Sequence, residues 1–433
     1  MLDIKFIREN PELIKDACRR KNSSVDIDAL LKLDGDRRGL QARLEVLNRE
    51  RNEAAKAKDI ERGKAVKAQV GEIEDQLKVI DAELTPLLLK VPNLQSDDTP
   101  TGHDDSENVV LRKVGTPRDF GFTPKDHIAL GEALGIIDAE KASEVAGARF
   151  VYLKGDLVLL QNALTQYAMS ILTNRGALAG IIRDAGLEGV SDAPFVPVIP
   201  PLMIKPEVFA RMARLEPREE RYHIPSDDMF LIGSAEHTLG PIHIDETLRE
   251  ADMPLRYFAS TPAFRREAGS YGKDTRGILR LHQFDKIEME SFTLPEHGIA
   301  EQNFFVEIQE NFLKALGIHY QVVMCCTGDM GDPDARHIDV ESWMPGQGRY
   351  RETHSADLMT DYQSRRLGTR VRRNDGTMQF VHMNDATAIA MGRLLIALLE
   401  NYQEADGSVR VPDILLPWMS GKAVIVSPRE TGV

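Results

Sequence analysis

The chain holds only three cysteines, Cys18, Cys325 and Cys326, and no two of them are spaced as CxxC. Neither a disulfide framework nor a structural zinc site is expected, and three reduced thiols suit a cytoplasmic protein. No run of about 18 apolar residues occurs, so no membrane-spanning helix is expected. The start, MLDIKFIRENPELIKDACRRK, carries acids and lacks the apolar stretch of a secretory leader. Excess positive charge is missing too: the formal net charge is -14. That argues against a protein that coats DNA or RNA indiscriminately, but leaves room for a local basic surface. Neither GxxxxGK[ST] nor a strand–GxGxxG–helix unit is present. A nucleotide would have to be held without the two commonest phosphate cradles.

What is present is long and mixed. A length of 433 residues suggests two or three domains. From Ile27 to Lys58, Leu33, Leu40 and Leu47 recur at seven-residue steps, with Leu30 and Leu44 on the same stripe. From Lys64 to Lys90, Ile73, Leu77, Ile80, Leu84 and Leu87 step by threes and fours. These are a/d seams of a coiled coil. The short connection KAKDIERG makes the two helices antiparallel neighbours. About 30 residues each at ~1.5 Å rise give a rod of ~45 Å. Its tip is biased. Arg49, Arg51, Lys56, Lys58, Arg62, Lys64 and Lys67 face four acids, Glu50, Glu53, Asp59 and Glu61. On charge alone this is a solvated helical face. A protruding basic rod in an acidic protein equally suits a phosphate backbone.

Residues 91–125 are rich in Pro, Gly, Ser and Asp and read as a linker. Beyond it, helices are expected at 155–175, at 298–316 and over TAIAMGRLLIALLENYQ. Strands are expected at FVPVIPP, LRYFAST, QFDKIEMESFT and YQVVMCCTG. Strands with little helix between them indicate an antiparallel sheet with flanking helices, an α+β domain.

One stretch carries chemistry. AFRREAGSYGKDTRGILRLHQFDKIEME gathers Arg265, Arg266, Arg276 and Arg280, then turns acidic at Asp285, Glu288 and Glu290. It reads as a long hairpin: strand PLRYFASTPAFRREAG, loop SYGKDTRG, strand ILRLHQFDKIEMESFT. Alternation places Arg265 and Glu267 on one face, and Arg280, His282, Phe284, Lys286 and Glu288 on one face of the second strand. Arginine forks grip phosphate oxygens, an aromatic ring stacks with a base, and a carboxylate suits an ammonium. A plain amphipathic hairpin with cross-strand ion pairs has the same spacing.

These residues resemble motif 2 of the class II aminoacyl-tRNA synthetases, in the form found in seryl-tRNA synthetases of the bacterial type. Further segments extend the likeness nearly end to end. DAPFVPVIPPLMIKPEVF resembles motif 1 and LIGSAEHTLG the TAE loop. YRETHSADLMTDYQSRRL and HMNDATAIAMGRLLIALLENYQEADGSVRVPDIL resemble motif 3, and the coiled-coil hairpin is a family hallmark. The resemblance implies a class II antiparallel sheet, a homodimer formed through motif 1, and two units. Residues 1–110 would form a tRNA-binding domain whose arm spans about 27–92, and 111–433 a catalytic domain. It implies that L-serine and ATP, with Mg²⁺, give seryl-adenylate, and that serine passes to tRNA(Ser), with tRNA(Sec) a further acceptor where one exists.

Roles follow by position. Arg265, Arg280 and Arg393 would be catalytic, Arg265 on the α-phosphate and Arg393 on the γ-phosphate. Arg266, Glu267, Leu281, Phe284, Glu352, Thr353, His354 and Ser355 would complete the ATP site, and Glu352 and Ser355 would meet Mg²⁺ carried by ATP. Ser234, Ala235, Glu236, Arg265, Glu288, Asp385 and Thr387 would bind serine. The seven tip cations would meet tRNA. Two departures stand out: Ser234 replaces the threonine of TAE, and Asp385 stands where the family has asparagine. The latter adds a possible negative charge beside Glu288. Cys325 and Cys326 read as core residues, and His282 and His354 as hydrogen-bonding groups rather than proton carriers. Two alternatives stay open, a paralogue loading a small amino acid onto another carrier and a non-catalytic tRNA-binding paralogue.

Overall fold

The computed structural model describes residues 1–268 and 276–427. The loop expected at SYGKDTRG falls largely outside them. Two short helices, α1 (Ile4–Glu9) and α2 (Pro11–Arg20), precede two long ones, α3 (Ile27–Ala57) and α4 (Ile60–Lys90). The connection between the long helices is tighter than KAKDIERG suggested. Lys58 takes a left-handed turn, and the Asp59 carboxylate accepts from the Arg62 N–H at 3.0 Å, starting α4 four residues early. Leu47, Val66, Val70 and Ile73 form the distal seam, with Leu40, Leu44 and Leu77 beside them. The base is different in kind. There Ile27, Leu30, Leu84 and Val91 are buried with Ile7, Ile14, Cys18 and Tyr362. The Tyr362 hydroxyl donates to Val91 O at 2.8 Å.

The main sheet has eight strands: β1 (Val109–Val114), β2 (Val196–Pro197), β3 (Leu255–Phe264), β4 (Gln283–Thr293), β5 (Tyr320–Met324), β6 (Arg336–Met344), β7 (Arg349–Thr360) and β8 (His382–Ala390). Their spatial order is β1-β5-β6-β7-β8-β4-β3-β2, antiparallel except for the β2–β3 pair. The α+β architecture expected from the sequence is therefore found. Helices α5 (Asp156–Leu172), α6 (Gly298–Ala315) and α7 (Met391–Asn401) contribute to its core. Two glutamines of α6 serve the sheet backbone. Gln302 Nε2 donates to Arg336 O and Ala356 O, and Gln309 Nε2 to Ser355 O and Thr387 O, at 2.7–2.9 Å.

Four local expectations change. The motif 2 hairpin is shorter than expected: β3 ends at Phe264 and β4 begins at Gln283. Glu267 adopts φ 52°, which no strand continues through, while Ile278 and Leu281 turn into the core. TAIA is the end of β8, not the start of a helix. Its apolar residues pack in the sheet, and α7 begins at Met391. Within 91–125, Val109–Val114 pairs with β5 as an edge strand. In FVPVIPP the ladder covers Val196 and Pro197, Val198 N–H donates to Phe258 O at 2.9 Å, and Pro200 and Pro201 lack the N–H to extend it.

Two irregularities decide what one sheet face presents. Register slips between Val340 and Glu341 opposite β7, leaving Thr353 as the extra residue. Glu352 and Ser355, three apart, would otherwise point to opposite faces. A second slip leaves Ala388 extra on β8, so Glu288 faces Thr387 and Glu290 faces Asp385. Asp357 lies opposite Asp385 and also opposite His337. A polar row thus crosses the central strands.

Candidate active site

A cavity of about 110 Å³ opens on that face. Its walls include Arg265, Glu267, Arg280, Leu281, Phe284, Lys286, Glu352, Thr353, Ser355, Thr387 and Arg393. Its cations are held in place by neighbours. Arg393 Nη1 lies 2.8 Å from Glu352 Oε1 and donates to Glu352 O at 3.1 Å. Arg280 pairs with Glu267. Arg265 Nε donates to Gly233 O at 2.9 Å, and its guanidinium stands 5.4 Å from the Phe284 ring centre. Burial alone would raise Glu352, but Arg393 outweighs it and holds the carboxyl below its ordinary range. Glu352 in turn raises Arg393. The arrangement offers three guanidinium groups and one aromatic face to a polyanionic nucleotide.

Arg393 is aimed by the residue before it. A Cβ on Gly392 would meet Ile278 O at 2.7 Å, so only glycine lets α7 begin this close to the Ile278 backbone.

At the inner end of the row the polar side chains are buried and paired with one another. Ser234 Oγ donates to Glu288 Oε2 at 3.0 Å. Lys286 Nζ pairs with Glu288 and lies 3.2 Å from Ser234 Oγ. Thr387 Oγ1 is 3.1 Å from Ser355 Oγ. One oxygen from each of Glu236, Glu288 and Asp385 lies within 4.8 Å of the other two. Burial and Glu236 push Glu288 up to about 7 against the pull of Lys286.

Next to this cluster sits Arg214, which the sequence reading did not single out. Its guanidinium is 3.3 Å from Glu236, 3.3 Å from Asp334, 3.8 Å from Asp357 and 3.5 Å from Asp385. Burial would raise Glu236, but Arg214 and His237 pull it well below the carboxylate range. Asp385 goes the other way. Burial, then Glu236 and Asp357, lift it well above its ordinary value despite Arg214. A protonated Asp385 presents one O–H and one C=O, much as asparagine presents N–H and C=O. These surroundings favour the neutral form over the negative charge expected there. Glu290, facing Asp385, is buried with both oxygens unpartnered among the described residues, and burial with Glu236 and Glu288 lifts it likewise.

Other expected residues lie apart from the cavity. Arg266 points outward, its guanidinium 5.8 Å from the Tyr222 ring. His354 is fully buried with Nδ1 2.9 Å from Thr353 Oγ1, and burial lowers it to about 3, so the ring is neutral. Thr353, by contrast, lines the cavity but turns its hydroxyl to Ser342 at 2.8 Å. Ala235 packs with Leu239 and Ala259. Arg49, Arg51, Lys56, Lys58, Arg62, Lys64 and Lys67 are exposed at the far end of the rod, with Arg62 3.7 Å from Glu53 and Lys64 3.2 Å from Glu61. Lys286 had a signal in the sequence, its alternation with Phe284 and Glu288. Arg214, in an aperiodic loop, had none.

A cavity built on an antiparallel sheet, with arginines from a hairpin and from the helix after the last central strand, defines a class II aminoacyl-tRNA synthetase. Residues 221–402 match the tRNA synthetase class II core domain (G, H, P, S and T), and residues 1–95 the seryl-tRNA synthetase N-terminal domain. The chain is 39% identical to a serine–tRNA ligase of Brucella abortus, over 97% of this chain and 98% of that one. Among solved structures it resembles the seryl-tRNA synthetase of Pyrococcus horikoshii complexed with ATP. That likeness has a TM-score of 0.88 and 34% identity, covering 99% of this chain and 100% of that one. The cytoplasmic serine–tRNA ligase of Naegleria fowleri in complex with AMP gives a TM-score of 0.85 and 29% identity, over 99% of each chain. The chain belongs to the seryl-tRNA synthetase family.

Proposed function

We propose that this chain activates L-serine with ATP and transfers it to tRNA(Ser). The observation that carries the reading is the junction of two subsites. An arginine-walled cavity with an aromatic face runs into a buried Ser234–Glu288 pair beside Thr387. The first suits ATP, and the second suits a small ligand bearing an ammonium and a hydroxyl. Relatives named as serine–tRNA ligases, and a relative's complex with ATP, support both halves.

In this reading serine's ammonium meets Glu288 and Ser234, and its hydroxyl meets Thr387. A serine carboxylate oxygen attacks the α-phosphorus. The bond from that phosphorus to the bridging oxygen breaks, and pyrophosphate leaves with the electron pair. Arg265 steadies the charge on the α-phosphate, Arg280 faces the reacting groups and Arg393 holds the γ-phosphate. The residues supply position and charge, and none becomes covalently bonded to substrate. Glu352 and Ser355 offer hard oxygen donors at the cavity wall, and the Glu352 carboxylate stays ionised, which fits Mg²⁺ carried by ATP. That ion would shield the phosphate charge.

Residues 1–110, with the arm, are proposed to bind tRNA, and 111–433 to carry catalysis. The apolar row at β2, where Val196 is half exposed and Ile199 fully exposed, supports a homodimer. Among the described residues no helix is long and apolar enough to cross a membrane, and a cytoplasmic setting is proposed.

Pyrophosphate exchange with a panel of amino acids tests the reading. Serine should exchange fastest, and Arg265→Ala should lower that rate about 10²–10³-fold, the scale of losing one electrostatic donor. Faster exchange with another amino acid would overturn serine as the substrate.

A further inference from the structure

Lys286 stands where the proposed substrate's ammonium belongs. Its Nζ pairs with Glu288 Oε2, the oxygen that also accepts from Ser234 Oγ at 3.0 Å, and Nζ lies 3.2 Å from that hydroxyl. A carboxylate and a hydroxyl around one ammonium are the contacts an α-amino group would make. The neighbouring carboxylates are already committed. Glu236 lies 3.3 Å from Arg214, while Asp385 and Glu290 are lifted well above the carboxylate range, chiefly by burial. With Glu236 held by Arg214, Glu288 is the carboxyl left to face two candidate cations. Two ammonium groups on a single carboxylate oxygen repel each other in a buried site.

Lys286 also has somewhere to go. It lines the nucleotide cavity together with Arg265, Glu352 and Arg393, and its four-carbon stem is flexible. It sits two residues from Glu288 on the same strand face and borders both sites.

We propose that Lys286 occupies the amino-acid ammonium subsite of the empty protein, and that an incoming amino acid displaces it toward the phosphates of ATP. The inference rests on the serine-activation reading and adds a coupling to it. The amino acid competes with an internal lysine, and the displaced lysine tightens the nucleotide. Binding of each substrate then favours the other.

The test uses serinamide, which keeps the ammonium and hydroxyl but has no carboxylate to attack ATP, with a non-hydrolysable ATP analogue. In the wild-type protein, saturating serinamide should tighten the analogue at least about fivefold, the lower end of ordinary coupling. In Lys286→Met the two affinities should be independent. Coupling of wild-type size in Lys286→Met would overturn the proposal. So would a crystal structure of the wild-type protein with serinamide bound and Lys286 Nζ still on Glu288, a measurement that stands even if the variant fails to fold. If the exchange panel selects a different amino acid, the serine reading fails by itself. The amide of that amino acid then replaces serinamide in the same two measurements.

Discussion

Asp385 and Glu288 show how burial sets the chemistry of single residues here. Asp385 stands where the resemblance implies asparagine, and its buried, acidic surroundings favour the protonated form, whose donors and acceptors are similar. Asp385→Asn should therefore leave serine-dependent exchange within about threefold of wild type, since the polar group keeps its shape and hydrogen-bonding capacity. A loss of tenfold or more would mean that Asp385 works as an anion. Glu288 sits near neutrality, raised to about 7 from 4.5. Its shift has two consequences of definite sign. The folded chain keeps a proton that the unfolded chain releases above 4.5, so this group's contribution to stability falls as pH rises from 4.5 to 7. Ammonium binding needs the carboxylate, so serine affinity should weaken as pH falls through 7, approaching about tenfold per unit. The neighbours facing it are Lys286, Glu236, Asp385, Ser234 and Thr387, and Glu236 is held ionised well below that window. Calorimetric titration of serine between pH 8 and 5.5 reads this directly. A flat profile would remove Glu288 from the ammonium subsite.

At the level of elements, the junction of β8 and α7 links packing to catalysis. Gly392→Ala would bring a Cβ within 2.7 Å of Ile278 O, a backbone atom, so the start of α7 is expected to shift against it. Arg393 shifts with it. The expected outcome is a rise in KM for ATP of about tenfold or more, with the serine KM changed far less. Equal changes in both constants would point to a general loss of structure instead. The same junction shows where sequence reading stops. TAIA is a short apolar run that periodicity assigns to helix or strand alike, and only its place between β7 and β4 makes it strand. The long helices were legible because their seams persist over 31 residues each. The alternation Phe284, Lys286, Glu288 was legible because β4 is regular over that stretch against β3. The Arg214 network was not, since its carboxylates come from the loop before β6, from β7, from β8 and from the TAE-like loop. Four distant segments share no spacing. The bulges at Thr353 and Ala388 were equally hidden, and they put Glu352 beside Ser355 and Thr387 opposite Glu288.

For the whole molecule, the question is how a basic rod serves a distant cavity in an acidic chain. The rod has two parts with different obligations. Its base, Ile27, Leu30, Leu84 and Val91, is core shared with Tyr362, so excising everything from 27 to 92 would strip that core. Its distal seam, from Leu40 to Leu77, is a cluster separate from that of the base. A cut above the Arg37–Asp81 pair, which spans the two helices at 2.6 Å, removes the distal seam and all seven tip cations. Joining Arg38 to Ile80 by a short glycine linker spans two helices packed about 8–10 Å apart. The cavity residues lie after 230 and are left intact. Serine-dependent pyrophosphate exchange should stay within about twofold of the full chain. Transfer to tRNA should fall by at least about tenfold, because the tip cations proposed to meet its phosphates are gone. Their loss has a second signature. Each neutralised phosphate releases counterions, so tRNA affinity of the intact chain should drop steeply with salt and that of the shortened chain much less. Filter binding across a salt series separates the two. A shortened protein that charges tRNA as well as the full chain, with the same salt slope, would show that the rod is not the tRNA reader.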